Sequence, residues 1–362
     1  MKAALTRGVG KGFEVVDVII DQPRGREVLI DVKASGLCHS DLHIETHGFG
    51  FEFPVVLGHE VAGLVTAVGP DVTGIKVGDR VAACLLQFCG ACEECLSGRT
   101  FQCTNQAVVN RGPDEEPRLR LESGEPLTQF FGISGFAEQA LIHENQLAVI
   151  NDEIPWEQAA LIGCSVVTGA GCSINTAQVR VGDSVAVIGT GGIGLNAISG
   201  ARIAGARTIV AIDIDDAKLK VARDFGATHV INSRTDNPVE KIKEICGGVN
   251  HAIEAIGLPA TQKQAYELTR PGGMAYMIGI APPESELTID SSLGLLAAHN
   301  GVQGCWMGST NLKRDIPMYA DLYTQGRINL DDMVSQTIGL EDIGSAYEQL
   351  TKGGIIRSVI TF

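Results

Sequence analysis

Hydrophobic positions change their period partway along the chain. Up to about residue 165 they fall in short strand-like runs, over Glu27–Val32, Val61–Val68 and Arg80–Cys84, punctuated by Gly36, Gly48, Gly58, Gly69 and Gly78. Short strands broken by glycine turns predict a small, irregular, partly open β-barrel. From Val181 the pattern becomes strand, glycine-rich turn, helix, strand: Ser184–Ile188, Gly191–Ala204, Thr208–Asp213 and Ala217–Phe225. That alternation predicts a parallel, doubly wound sheet with right-handed crossovers. Near Met307 the pattern turns irregular again, and Ser358–Phe362 reads as a closing strand. An α/β protein of two domains is expected, residues 1–165 with 308–362 and residues 166–307, the tail returning to the first. Asn110–Pro126, rich in charge, Gly and Pro, reads as an exposed loop.

Composition narrows the function. Lys and Arg total 28 against 43 Asp and Glu, a formal net charge of −15. Binding to phosphate backbones needs clustered cations, so no nucleic-acid partner is expected. With 44% apolar and 20% charged residues the chain has a globular, not a disordered, composition. The longest apolar runs, such as Ser184–Ile188 and Thr208–Ile212, are strand-length and far short of the ~20 residues of a spanning helix, so no membrane partner is expected. Residues 1–12 show no apolar core of a secretory signal, which predicts a cytoplasmic protein. Ten cysteines in a reducing compartment point to metal or chemistry rather than disulfides.

Three groups of residues carry chemistry. Cys89, Cys92, Cys95 and Cys103 form C-x2-C-x2-C-x7-C, four thiolates able to close a tetrahedral zinc site with no open position. An iron–sulfur cluster is the competing reading, but no Pro follows Cys103 and no second cluster motif exists; buried thiols that merely pack are the plain alternative. Gly189-Thr-Gly191-Gly192-Ile193-Gly194 is a G-x-G-x-x-G placed after a strand and opening a helix, with Asp213 at the end of the next strand. Such glycines let the backbone approach a pyrophosphate on the helix N-terminus, and Asp213 suits the ribose hydroxyls of NAD. The third group is Cys38-His39-Ser40-Asp41-Leu-His43, Gly58-His59-Glu60 and Gly163-Cys164. Two thiolates and an imidazole suit a catalytic zinc with one open position, although on residue types alone Cys164 can be packing and His59 a satisfied core histidine.

In this order the three groups resemble the zinc-dependent alcohol dehydrogenases of the medium-chain dehydrogenase/reductase family. The resemblance runs from about Glu27 to Phe362 and includes Val55-Val-Leu-Gly-His-Glu60, Leu161-Ile-Gly-Cys164 and Ile356-Arg357-Ser-Val-Ile-Thr-Phe362. It implies a β-rich, irregular, GroES-like catalytic barrel plus a Rossmann domain. It also implies two zinc ions per chain, NAD as cofactor, and a homodimer joined edge to edge by its nucleotide domains. Carried over by residue, it assigns Cys38, His59 and Cys164 to the catalytic zinc, with Glu60 and Asp41 around them, and Ser40 and His43 to a proton relay. It places His39 and Arg357 at the pyrophosphate and Asp213 and Lys218 at the adenosine ribose. Thr168, Gly189, Gly191, Gly192, Ile193, Gly194 and Ile278 complete the cofactor site.

The same resemblance implies zinc-dependent exchange of hydride between NAD and a small primary alcohol or aldehyde. The matching pocket positions, Phe49, Leu85, Phe131, Ile280 and Trp306, are large and apolar, which suits an apolar or aromatic substrate. The related glutathione-dependent formaldehyde dehydrogenases carry an Arg four residues past the last structural cysteine; here that position is Ala107, leaving Arg111 as another cation for a thiol adduct. A zinc- and nucleotide-binding protein without turnover is a further alternative, because fold does not fix function. Asp213 is expected to repel the 2′-phosphate of NADP, with Arg207, read as lying near this end of the sheet, the one residue to soften the discrimination.

Overall fold

The computed structural model describes residues 1–352 and 355–362. The chain folds into two compact units, Met1–Cys164 with Asn311–Phe362, and Ser165–Thr310.

The first unit is built on strands β1 (Glu27–Gly36), β2 (Glu60–Val68) and β3 (Arg80–Ala83). β1 pairs antiparallel with β2 on one side and with the closing strand Arg357–Thr361, and β2 pairs with β3, inside a seven-stranded sheet. A separate five-stranded sheet completes the irregular barrel. Helix α1 (His39–His47) leaves directly from the end of β1. Leu5, Leu37, Leu57, Phe130, Phe136 and Tyr347 belong to one buried cluster. The register Gly36↔Glu60 and Val359↔Gly36 sets the end of β1, the start of β2 and the middle of the closing strand side by side.

In the second unit, β4 (Ser184–Ile188), β5 (Thr208–Asp213), β6 (His229–Asn232), β7 (Val249–Glu254), β8 (Thr269–Met277) and β9 (Gly301–Gly304) form one sheet. Its order is β6-β5-β4-β7-β8-β9, and every pair is parallel. All five residues of β4 are buried, as a strand covered by helices on both faces requires. Helices α2 (Gly192–Ala204) and α3 (Asp216–Phe225) follow β4 and β5. The chain winds outward in both directions from β4, and ligands of such sheets lie at the carboxyl ends of the strands at that point.

Two sequence expectations need correction. Asn110–Pro126 is not simply an exposed loop: it contains a strand, Leu119–Leu121, that pairs with Glu14–Ile20, and Arg118 is buried. Reading only unbroken apolar runs also hides one long helical segment. Trp156–Thr176 is long and apolar enough, by length and composition alone, to cross a membrane; 83% of its most apolar window is buried in the protein, so it is a core helix.

Candidate active site

Cys38 is the N-cap of α1 and Asp41 its third helical residue. From that position Asp41 accepts hydrogen bonds from the N–H of Cys38 at 3.3 Å, from the N–H of Gly58 at 3.0 Å and from His59 Nδ1 at 3.0 Å. Donating Nδ1–H to a carboxylate leaves the Nε2 lone pair of His59 for a metal. Nε2 lies 3.2 Å from Cys164 Sγ and 3.3 Å from Ser40 Oγ, which is itself 3.2 Å from Cys38 Sγ. Cys164 sits in a π-helical turn, Ile162–Val166, of the kind that interrupts helices at functional positions. One donor atom from each of Cys38, His59, Glu60 and Cys164 lies within 4.8 Å of the others, and all four residues are buried. Two thiolates, an imidazole and a neighbouring carboxylate at this spacing fit one zinc ion.

Charge is arranged around that centre. Burial opposes a charge on His59, but Asp41 raises its pKa well above the ordinary value. A hydrogen bond with Cys164 holds the Cys38 thiol well below its ordinary value, while that bond and burial push Cys164 up. Burial pushes the Glu60 carboxyl up to about 7 against the opposing charge of Arg357. Arg357 is itself buried, with Nε at 3.2 and 3.3 Å from the two Glu60 oxygens and Nη2 at 3.9 Å from Cys38 Sγ. Its main partner is therefore Glu60, a pairing across 297 residues that no local pattern reveals.

The second cysteine group also converges. Cys92 Sγ lies 3.4 Å from Cys95 Sγ and 3.9 Å from Cys103 Sγ, and Cys89 Sγ lies 3.9 Å from Cys95 Sγ. Backbone N–H groups of Ala91 and Cys92 donate to Cys89 Sγ, and those of Cys89 and Asn105 to Cys103 Sγ, as thiolates need. Backbone amides lower Cys92 to about 6. Four converging thiolates fit a closed, structural zinc site.

The glycine turn divides its labour residue by residue. Gly189 has φ +90°, open to glycine; a Cβ at Gly194 would stand 1.8 Å from the Gly189 carbonyl; nothing lies within 4 Å of a Cβ at Gly191, the open side a phosphate needs. Gly192 and Ile193 begin α2. Asp213 is nearly buried and accepts four hydrogen bonds: Oδ2 from the N–H and hydroxyl of Thr190, both at 2.8 Å, and Oδ1 from the N–H groups of Ile214 and Asp215 at 2.7 and 3.2 Å. Thr190 is a partner of Asp213 that the glycine pattern alone does not single out, although its hydroxyl beside the first glycine is a visible signal. Lys218 lies half-buried on α3, and the Ile278 N–H donates to the Glu254 carbonyl. Thr168 is less accessible than expected: it is 5% exposed and its hydroxyl donates to Met307 Sδ at 3.4 Å. Arg207 precedes β5 and so stands at the opposite end of that strand from Asp213, too far to soften its charge.

His43 follows Ser40 by three residues on α1, hence on the same face. Burial, helped by His47, lowers its pKa below 6.5. His39, just before Ser40, is exposed. Phe49 and Phe131 both adopt positive φ, 44° and 48°, and the Phe130 ring between Phe131 and His59 is 4.6 and 5.6 Å from their centroids. Leu85 is buried. These three pocket candidates belong to the first unit; Ile280 and Trp306, both 48% exposed, belong to the second. Arg111 is committed elsewhere: it bonds Glu27 at 2.8 and 2.6 Å and Asp21 at 2.5 Å, with its side chain 8% exposed. Ala107 is an exposed residue of the turn Gln106–Val109.

Comparison with known proteins follows the same division. Residues 24–152 match the alcohol dehydrogenase GroES-like domain and residues 192–325 the zinc-binding dehydrogenase family. The chain is 35% identical to S-(hydroxymethyl)glutathione dehydrogenase of Paracoccus denitrificans, covering 100% of this chain and 99% of that protein. It is 36% identical to the NDMA-dependent alcohol dehydrogenase of Amycolatopsis methanolica, over 99% of this chain and 98% of that one. The crystal structure of benzyl alcohol dehydrogenase from Acinetobacter calcoaceticus superposes with a TM-score of 0.93 at 35% identity, covering 100% and 99% of the two chains.

Proposed function

Because this chain belongs to the zinc-dependent alcohol dehydrogenases of the medium-chain dehydrogenase/reductase family, with zinc and NAD as cofactors, we propose a primary alcohol of apolar or aromatic body as its substrate. The observation that carries the reading is that neither position suited to holding a thiol adduct offers a free cation: Ala107 is exposed and neutral, and Arg111 is engaged with Glu27 and Asp21. Phe49, Leu85 and Phe131 supply apolar side chains in the first unit, and Ile280 and Trp306 in the second. Likeness to S-(hydroxymethyl)glutathione dehydrogenases favours a second reading, oxidation of a formaldehyde–thiol adduct. Absorbance of NADH decides between them. Benzyl alcohol and straight-chain primary alcohols are expected to reduce NAD, and turnover confined to formaldehyde plus glutathione would overturn the proposal.

In this reading Met1–Cys164 with Asn311–Phe362 is the catalytic zinc unit and Ser165–Thr310 the NAD-binding unit. Cys38, His59 and Cys164 hold the catalytic zinc, Glu60 and Asp41 support it, and Cys89, Cys92, Cys95 and Cys103 hold the structural zinc. When bound, zinc supplies a Lewis acid that acidifies the substrate hydroxyl, and NAD accepts hydride. Ser40 Oγ, at the ligand atoms, takes the hydroxyl proton, and the neutral imidazole of His43 carries it onward to solvent. His39, Lys218, Asp213 and the glycine turn hold the cofactor, while Arg357 acts first on Glu60. The zinc thiolates suit a reducing cytoplasm. A homodimer through the outer edge of β9 fits the exposed Leu293 and Leu296 of the segment before that strand, and light scattering on the purified chain tests it.

The relay has its own test. His43→Gln should lower kcat for alcohol oxidation about tenfold at pH 7, with part of the loss restored by small buffer bases. Because the pKa of His43 is lowered, its neutral relay form is present at neutral pH and is lost only as pH falls through a value below the ordinary histidine range. Ser40→Ala should cost about a hundredfold and resist buffer, since no solvent base reaches the ligand atoms. Single-turnover kinetics across pH and buffer concentration check this; a buffer-independent kcat at the normal level would defeat the relay.

A further inference from the structure

β5 and β7 flank β4, and each ends in a carboxylate, Asp213 and Glu254. Asp213 collects donors from the glycine turn and from its own loop. Glu254 does the same on the other side. Its Oε1 accepts from the N–H of Ile256 at 2.9 Å, the N–H of Gly257 at 2.8 Å and the Thr261 hydroxyl at 2.8 Å. Its backbone carbonyl accepts from the N–H groups of Ile278 and Gly279 at 2.9 and 3.1 Å. The residue is 0% exposed. One side chain and its carbonyl therefore fix both the loop after β7 and the loop after β8. The first of these also braces the glycine turn: the Ala255 N–H donates to the Ile188 carbonyl at 2.9 Å, and Ile256 Cγ1 stands 2.7 Å from where a Cβ of Gly189 would be. All three segments lie at the carboxyl ends of the strands, where a dinucleotide binds in a doubly wound sheet. Glu254 Oε2, by contrast, is buried with no hydrogen-bond partner among the described residues.

We propose that Glu254 is a positioning residue for the cofactor: its Oε1 sets the loop after β7 and its backbone carbonyl anchors the loop after β8, in the arrangement that accepts NAD. The proposal rests on the reading of this unit as NAD-binding. Ordinary motif reading passes over Glu254 because it lies sixty residues past the glycine turn and touches no part of the fingerprint. The unpartnered Oε2 makes the idea specific. Glutamine keeps an oxygen for the three donors and puts its nitrogen where the carboxylate makes no bond, whereas alanine abandons all three.

Calorimetric titration of NAD into the zinc-loaded full chain, with steady-state kinetics alongside, tests this. Glu254→Ala should raise Kd and KM for NAD at least about tenfold, with kcat at saturating NAD changed less than about threefold, since each lost hydrogen bond is worth a few-fold. Glu254→Gln should restore affinity to within about threefold of the unmodified protein, and Thr261→Val should weaken it by about the same small factor. A purely structural cap would lower Tm and leave the affinity of the folded protein unchanged. Glu254→Ala binding NAD as tightly as the unmodified chain, or Glu254→Gln as impaired as Glu254→Ala, would overturn the proposal. If Glu254→Ala does not fold, Thr261→Val decides, because an unchanged affinity there also overturns it. An unmodified chain with no affinity for NAD would instead sink the cofactor reading itself.

Discussion

Gentle chelation is expected to leave one zinc per chain in a folded protein whose alcohol oxidation has fallen at least about 1000-fold, about 4 kcal/mol of barrier. In the proposed assignment the catalytic zinc would be held by Cys38, His59 and Cys164, leaving one position open to a chelator, whereas Cys89, Cys92, Cys95 and Cys103 would close theirs. Access alone argues the other way, since Cys89, Cys92 and Cys95 are half-buried while Cys38, His59 and Cys164 are at most 5% exposed. Affinity should prevail: a four-thiolate structural site is worth roughly 10–16 kcal/mol near neutral pH, and losing it would unfold the lobe that it organises. Metal analysis, circular dichroism and activity on the same sample check the result. Only one zinc in the untreated protein would refute the two-site assignment, and a retained catalytic zinc with an unfolded lobe would show that access governs.

Discrimination between cofactors should be almost as large. The unmodified enzyme is expected to favour NAD over NADP by at least about 100-fold in kcat/KM, about 2.7 kcal/mol. In the NAD-binding reading Asp213 sets a nearly buried carboxylate against the 2′-phosphate of NADP, and Arg207 does not offset it because it lies at the far end of β5. Geometry separates two consequences of changing it. Asp213→Asn keeps an oxygen for one pair of donors, turns its NH2 toward the other pair and loses the charge, so the gap should narrow with a smaller rise in KM for NAD than Asp213→Gly gives. Asp213→Gly also removes the acceptor of four hydrogen bonds and should raise KM for NAD as it narrows the gap. Equal use of both cofactors by the unmodified enzyme would count against the role of Asp213.

What the chain announces in advance is what short range decides. β4 and β5 appear where β-branched runs meet glycine turns, and α2 begins within one residue of expectation, because strand pattern and fingerprint are local. The four-cysteine group could be named from residue types and spacing, whereas residue types left the group of Cys38, His59 and Cys164 open and only the family resemblance named it. Long-range pairings could not. Arg118 donates to Glu27 at 2.7 Å across 91 residues, and Arg111 joins the same carboxylate across 84, so two cations of a stretch that reads as solvent-facing are drawn inward by a distant partner. The π-helical turn at Cys164 was equally hidden, because it depends on a backbone hydrogen-bond shift rather than on any residue preference.

Asp41 has a consequence for how this site can change over generations. A single carboxylate caps the first turn of α1 through Cys38, ties down Gly58 and aims His59. Helix start, loop anchor and ligand orientation are therefore one heritable trait. A substitution at Asp41 alters all three at once, so selection on substrate preference has no gradual route through this position. Variation is channelled to Phe49, Phe131 and their neighbours, whose side chains can be exchanged without disturbing the capped end of α1. A library randomised there should yield active enzymes of altered preference, while one randomised at Asp41 should yield almost none.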